Sequence, residues 1–566
     1  MKSRTSFFNG AVLKKDLTRF APVWGLYTLG VLLFVWMQMN SFHMDADDTV
    51  IMLTNLMNAG AVVNFVYALI VASVLFGDLY VPKMCNALHA MPLRREGWFL
   101  THSLAALLFS LIPNLLAFAS TAPVVQERWM VALLTLAAST MQYLFFFGLA
   151  VLCVFLAGNR LGMAACYGIL NFGAWLLYGL IELFYLPRLY GVKLSTRWFE
   201  RFTPVGQLVE QWLCEYKFSG NHVYITNWNS EGWAYLGILT ALGLVFWGLG
   251  LLLYRRRHLE RAGDLLAVRA VVPVFLLIVT LAGGMLFYLI SDLFTGHGQE
   301  LFLLIGMAVG FFVSRMLLER RAQVFTPKSI GCYGAVAAVM VLSLWVTSMD
   351  PMGLVTKVPP MDRVEGACLN PTGIWWNEPV YMEEPEQIAE INRLHRQLFT
   401  DSAQVPKDQW GYYGKDVRIS VGYTLRNGSR LDREYHVNPS SPAGQELKAY
   451  LSSPSVVFGN RDPAQLRKEV REVCLDMPMG EEWVHGTDFL PREKIPGLID
   501  AILLDCQEGN MAQSEMFYVD LDQQTADTFQ AVGIGHMDFV LEDGTWSLHF
   551  YQNAVHTYAY LKSCMQ

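Results

Sequence analysis

Residues 130–157 read MVALLTLAASTMQYLFFFGLAVLCVFLA, twenty-eight positions without one Asp, Glu, Lys or Arg. As a helix this run would rise about 42 Å, more than the roughly 30 Å of a bilayer's hydrocarbon core. A continuous apolar run of that length predicts a membrane span. Working outward from it, eight further runs have the same character, at 21–40, 61–76, 99–120, 163–185, 233–254, 270–290, 301–318 and 331–348. The run at 61–76 is short unless it extends back through 52–59, which is itself apolar. The expected fold class is a polytopic α-helical membrane protein of about nine spans.

Composition agrees. Of 566 residues 53% are hydrophobic and 16% charged, where an average soluble chain carries about a quarter charged residues. The deficit is confined to the first 350 residues; 351–566 has the composition of a soluble domain. From Val355 onward the tail holds 18 Lys and Arg against 31 Asp and Glu, a net −13, so the whole-chain −7 leaves +6 for the membrane part. An acidic tail argues against a nucleic-acid partner. The first apolar run follows a charged lead of twenty residues and lacks a small-x-small cleavage pattern, so no cleavable signal peptide is expected.

Orientation follows from where Lys and Arg fall. With the N-terminus inside, the inner segments are 1–20 (Lys2, Arg4, Lys14, Lys15, Arg19), 77–98 (Lys83, Arg94, Arg95), 158–162 (Arg160), 255–269 and 315–328, and all are basic. The outer segments hold Asp45, Asp47 and Asp48, then Glu127 with Arg128, then Asp292 and Glu300. An odd number of spans puts the tail outside the cytoplasm; a count different by one would put it inside. The outer segment 186–232 is long and of mixed charge, and within it 203–213 has Pro near a helix start and helical apolar spacing, which predicts a short interfacial helix. The N-terminal lead alternates Phe7, Phe8, Val12 and Leu13 with Lys14, Lys15 and Arg19, the pattern of a basic amphipathic helix lying flat on the inner surface. A disordered basic tail serving only as a topology signal is the alternative.

The tail reads as an α+β domain. Helical spacing occurs at 384–399, 442–451, 463–473 and 496–504, the last three with Pro near the start. Strand-like runs at 417–425 and 431–437 flank Arg426-Asn427-Gly428-Ser429, a hairpin signal, and further strands are expected at 516–521 and 537–550 with a turn at Asp543-Gly544. Of nine cysteines, four lie in the tail, where three pairings are open, and none forms a C-x-x-C pair.

Catalytic signatures are missing. There is no G-x-x-x-x-G-K-[ST]; GYYGKD at 411–416 has the wrong spacing and no hydroxyl, so P-loop ATP hydrolysis is excluded for this chain alone. H-E-x-x-H and G-x-S-x-G do not occur, and the tail histidines (His395, His436, His485, His536, His549, His556) show no metal-ligand spacing, so no metal, cofactor or catalytic residue is expected. Polar residues inside apolar runs are therefore the candidates. Glu182 is the deepest acid, either functional or an interfacial partner of Arg188. Asn64, Asn114, Gln142 and Asn171 can cross-link helices by hydrogen bonds.

Several features together resemble the ABC-2 class of ABC-exporter permeases. These are the basic amphipathic lead, the polar loop ALHAMPLRR (87–95) between spans two and three, the long outer segment between spans five and six, and YRRRHLERAGD (254–264) closing span six. The match covers 1–264. The three further spans and outer domain resemble a bacterial subgroup related to the permeases of acetoin-utilisation and cell-wall-antibiotic-response operons. The resemblance divides the chain into an interfacial helix (1–20), a six-span core (21–264), three added spans (265–350) and an extracytoplasmic α+β domain (351–566). It implies a bacterial cell membrane, pairing with a second permease, and a separate cytosolic ATPase that contacts the lead helix and the loop between spans two and three. Leu88, Met91, Pro92 and Leu93 would then fill a groove on the ATPase, while Arg94, Arg95, Lys14 and Lys15 orient it. Fixing topology and meeting anionic lipid is the other role open to Arg94 and Arg95. The apolar spans suit an amphipathic or hydrophobic substrate. A membrane sensor or scaffold, whose acidic outer domain binds a peptide or envelope ligand, is the rival expectation.

Overall fold

The computed structural model describes residues 8–41, 46–90, 94–219, 222–256, 263–294, 299–371, 381–399, 416–459, 461–479, 482–512, 534–541, 545–551 and 553–565. The chain divides into two compact units. One is Met1–Leu183 with Thr196–Val341; the other is Phe184–Ser195 with Leu342–Gln566.

The first unit is helical. Helix α1 (Gly10–Arg19) starts where the Asn9 side chain accepts from the amides of Ala11 and Val12, and it meets α2 (Ala21–Ser41) at a 60° bend. There follow α3 (Ala46–Leu75), α4 (Pro82–Ala90), α5 (Arg95–Thr121), α6 (Trp129–Leu156) and α7 (Arg160–Leu180), which runs on through a wider turn at Ile181–Tyr185. Two short helices, α8 (Arg197–Arg201) and α9 (Pro204–Glu210), lead to a hairpin of β1 (Cys214–Ser219) and β2 (His222–Trp228). Then come α10 (Ser230–Arg256), α11 (Val272–Phe294), α12 (Gln299–Glu319) and α13 (Pro327–Ser348), whose residues from Leu342 on belong to the second unit. Among the described residues eight helices are long and apolar enough to cross a membrane, and nine if the bent α1–α2 pair is one span. This is the architecture of a polytopic helical membrane protein. The short run at 61–76 is the end of α3, which extends back through 52–59 as one continuous helix.

Helix α6 runs against both α3 and α10. At its crossing with α10, Gly148 faces Gly243 so closely that a Cβ on either would strike the other helix's backbone. Helices α11 and α12 meet in the same way at Gly283 and Gly306. Between apolar helices in lipid, such small-residue contacts allow the backbone approach from which dispersion attraction is gained. The helix expected over 203–213 is shorter: at Gln211 the backbone turns extended and leads into β1, whose alternating partner HVYITNW had not been recognised as a strand.

The second unit contains two antiparallel sheets. The first orders β3 (Val364–Pro371), β4 (Val417–Leu425) and β5 (Arg430–Val437), covered by α14 (Pro385–Gln397) and α15 (Pro442–Leu451). Its core holds Ile391, Leu394, Val421, Tyr423, Tyr435 and Leu447. Gly428 sits at φ +77°, the left-handed conformation the Asn-Gly turn needs. After α16 (Pro454–Val457) and α17 (Pro463–Glu469) comes the second sheet, ordered β7-β6-β8-β9. Its strands are β6 (Glu472–Met479), β7 (Glu482–Leu490), β8 (Ile534–Val540) and β9 (Thr545–Tyr551), with α18 (Ile495–Gln507) and α19 (Val555–Met565) alongside. Val473, Leu475, Ile499 and Phe539 lie in its core.

The helix expected at 463–473 stops at Glu469, because β6 takes over and is paired on both edges. The strand expected at 516–521 and the turn at 543–544 lie outside the described residues. None of the nine cysteines is in a disulfide. Phe184–Ser195 joins this unit through an isolated bridge between Val192 and Arg433, a Lys193–Glu434 ion pair of 2.7 Å and a Tyr190 hydroxyl donating to the His436 carbonyl.

Candidate functional site

Two places in the first unit gather the polar residues singled out by sequence. One is the surface formed by α1, the turn after α3, α4 and the start of α5. Helix α1 is amphipathic: Leu13, Leu17 and Phe20 pack against the apolar core, while Lys14 and Lys15 are exposed. Two contacts hold it in place. The Asn9 amide donates to Thr101 Oγ1 (3.3 Å), and the buried Asp16 carboxylate lies 2.7 Å from Nδ1 of the buried His102, whose ring rests on Trp98. At its far end Arg19 pairs with Asp78 (3.2 Å), in the short 3₁₀ turn Gly77–Tyr80.

Helix α5 is fastened to α10. Arg95 donates to the Tyr254 and Arg255 carbonyls (3.4 and 3.2 Å), and Glu96 pairs with Arg255 (3.0 Å). Beneath this contact Phe76, Trp98, Phe99, Phe155 and Tyr254 form a buried aromatic cluster. Arg95 thus serves the carbonyl end of α10, where its charge also suits the helix dipole. Helix α4 presents Pro82, Lys83, Met84 and Asn86 on the surface, Val81 is exposed just before it, and Arg94 is exposed as well. Leu88 falls within α4 with its side chain undescribed, and Met91, Pro92 and Leu93 lie outside the described residues. Asp16 and His102 were missed by sequence. A lone acid among basic residues, spaced with Leu13 and Leu17 on the packed side of the helix, was the available signal.

The second place lies inside the helix bundle. Asn64 on α3 donates to Ser139 Oγ (3.2 Å) and Gln142 Oε1 (3.1 Å) on α6, and Gln142 donates to the Met57 carbonyl (2.6 Å). Asn114 on α5 donates to the same Ser139 Oγ (3.1 Å). Three helices are joined through Asn64, Asn114, Ser139 and Gln142, with Ser139 as the junction that sequence did not single out. Asn171 stands apart: its amide donates to the Tyr167 carbonyl of its own helix (2.9 Å). Glu182 is exposed, in the wide turn after α7.

In the second unit, His395 is buried between the Tyr423 and Tyr435 hydroxyls, each 2.8 Å from a ring nitrogen. Burial, and then the nearby Arg433 and Arg396, push its pKa down to about 3, so the ring is neutral. The described residues contain one cluster with metal-ligand geometry, Asp505, Glu508 and His556. Its chemistry is already used, since the Asp505 carboxylate accepts from the His556 and Thr557 amides and the Thr557 hydroxyl and so caps α19.

No protein-family model, no curated protein and no solved structure matches this chain.

Proposed function

We propose that this chain is the transmembrane permease subunit of a bacterial ABC exporter of the ABC-2 class, driven by a separate cytosolic ATPase. The observation that carries this is the arrangement around α4. Its neighbours α1 and α5 are each fastened by buried or part-buried contacts, while α4 exposes Met84 beside Lys83, with Val81 exposed just before its first residue. An apolar pair with a flanking cation at the start of a supported helix suits docking into a partner's groove, with Arg94, Lys14 and Lys15 orienting the approach. Held this way, displacement of α4 would tilt α3 and α5 together. Pairing with a second permease, as homo- or heterodimer, belongs to the same proposal.

The side assignment is part of this proposal too. Phe184–Ser195 and the tail belong to one compact unit, and four apolar helices, α10 to α13, lie between them in sequence. An even number of crossings returns the chain to the side it left. With basic segments inside, that supports a cytoplasmic N-terminus and an extracytoplasmic tail. The test is co-purification of the full chain with a P-loop ATPase encoded beside it. Lys83→Glu with Arg94→Glu should abolish it and Lys193→Ala should not; unchanged co-purification of the double variant would sink the reading.

The tie between Val192 and Arg433 favours a second reading, a sensor in which ligand binding on the tail pulls on the end of α7. ATPase activity that responds to an outer ligand with no substrate movement would favour it.

A further inference from the structure

A cavity of about 470 Å³ lies between α2, α3, α5 and α6, within the size range of about 300–1,000 Å³ typical of small-molecule sites. Its walls include Leu26, Val31, Phe34, Leu53 and Leu136, and none of the described lining residues carries a charge. Asn64, Asn114 and Ser139 of the interhelical network also line it. Their hydrogen bonding is incomplete in a specific way. Asn64 gives its amide hydrogens to Ser139 and Gln142, and its buried Oδ1 accepts nothing. Ser139 Oγ receives two N–H groups, and among the described residues its own hydrogen has no acceptor. One spare acceptor and one spare donor, beside an apolar space, match a group that both donates and accepts.

We propose that this cavity binds an uncharged amphiphile drawn from the membrane, a hydrocarbon body whose single hydroxyl or amide head bonds the Asn64–Ser139 pair. The inference rests on the chain lying in a membrane and not on the ATPase reading. An anionic head would find no cation in the lining, and a neighbouring hollow that shares Phe34, Leu56 and Ala59 carries the Asp48 carboxylate. An uncharged head avoids both penalties, since leaving a charge unpaired in hydrocarbon costs far more than burying a hydroxyl that is hydrogen-bonded.

The test uses the full chain in phosphatidylcholine nanodiscs with a diazirine-bearing hexadecanol as photoprobe. Labelling should map to α2, α3 and α6 and be competed by monooleoylglycerol. Asn64→Leu should reduce it at least fivefold. Gly30→Leu should reduce it as much by filling the cavity: a Cβ at Gly30 meets nothing within 4 Å, and the substitution removes no hydrogen bond, so it covers the case in which Asn64→Leu does not fold. Labelling that survives Gly30→Leu, or that is indifferent to monooleoylglycerol, overturns the proposal. So does stronger competition by palmitate or by hexadecylamine, the latter pointing to a cationic ligand at Asp48. No ATPase enters the assay, so its failure and the failure of ATPase docking are separately visible.

Discussion

The helical unit and the two-sheet unit achieve close packing by opposite means. Where α6 crosses α10, the contact is backbone on backbone at Gly148 and Gly243, made possible by missing side chains. In the second unit the sheets are filled by large side chains, Tyr423 and Tyr435 in one and Leu475 and Phe539 in the other. The solvents explain the difference. Water drives apolar side chains together, whereas lipid tails are as apolar as Leu, so helices in lipid gain from shape and from polar cross-links such as Asn64–Gln142.

This contrast can be broken or sharpened. Gly148→Leu adds a side chain where backbone already stands and should cost about 3 kcal/mol or more, read as early thermal unfolding of the detergent-solubilised chain. A native melting curve would refute the backbone contact. Leu475→Ala, the reverse change, should cost about 3 kcal/mol and appear as faster hydrogen exchange in tail peptides alone.

Acid should act on the tail next. His395 stays neutral in the folded unit down to about pH 3, while the unfolded chain takes up a proton near 6.5. Between those values the unfolded state binds more protons, so stability falls as pH falls, by about 2 kcal/mol between pH 6.5 and 5. Tail-peptide exchange that is flat across this window would argue against the buried His395. Asp16→Asn should loosen α1 locally by about 1–2 kcal/mol, visible as faster exchange of α1 peptides at an unchanged global melt. Lys193→Ala removes an exposed pair and should change stability by less than about 1 kcal/mol.

Much of the fold was legible in residue order. Each of the nine apolar runs lies within or largely within a helix, and Asn427-Gly428 marks the β4–β5 turn. Strands β1, β2, β3, β6 and β7 were not foreseen. Short strands in hairpins are specified by their pairing as much as by their own pattern. The candidate site was half legible: Asn64 and Asn114 were singled out, but Ser139, the hydroxyl on which both converge, is an ordinary residue of a helix until its neighbours are known.

By itself, the sequence determined that this chain forms many apolar helices and a separate α+β part, because transfer of a segment into hydrocarbon depends on composition summed over about 20 residues. Only the tertiary structure decided which amide meets which hydroxyl, that Arg95 closes the end of α10, and that Phe184–Ser195 joins the tail. Those outcomes depend on the rotation and register of helices separated by scores of residues, and a hydrogen bond exists only within a few tenths of an ångström of its proper length.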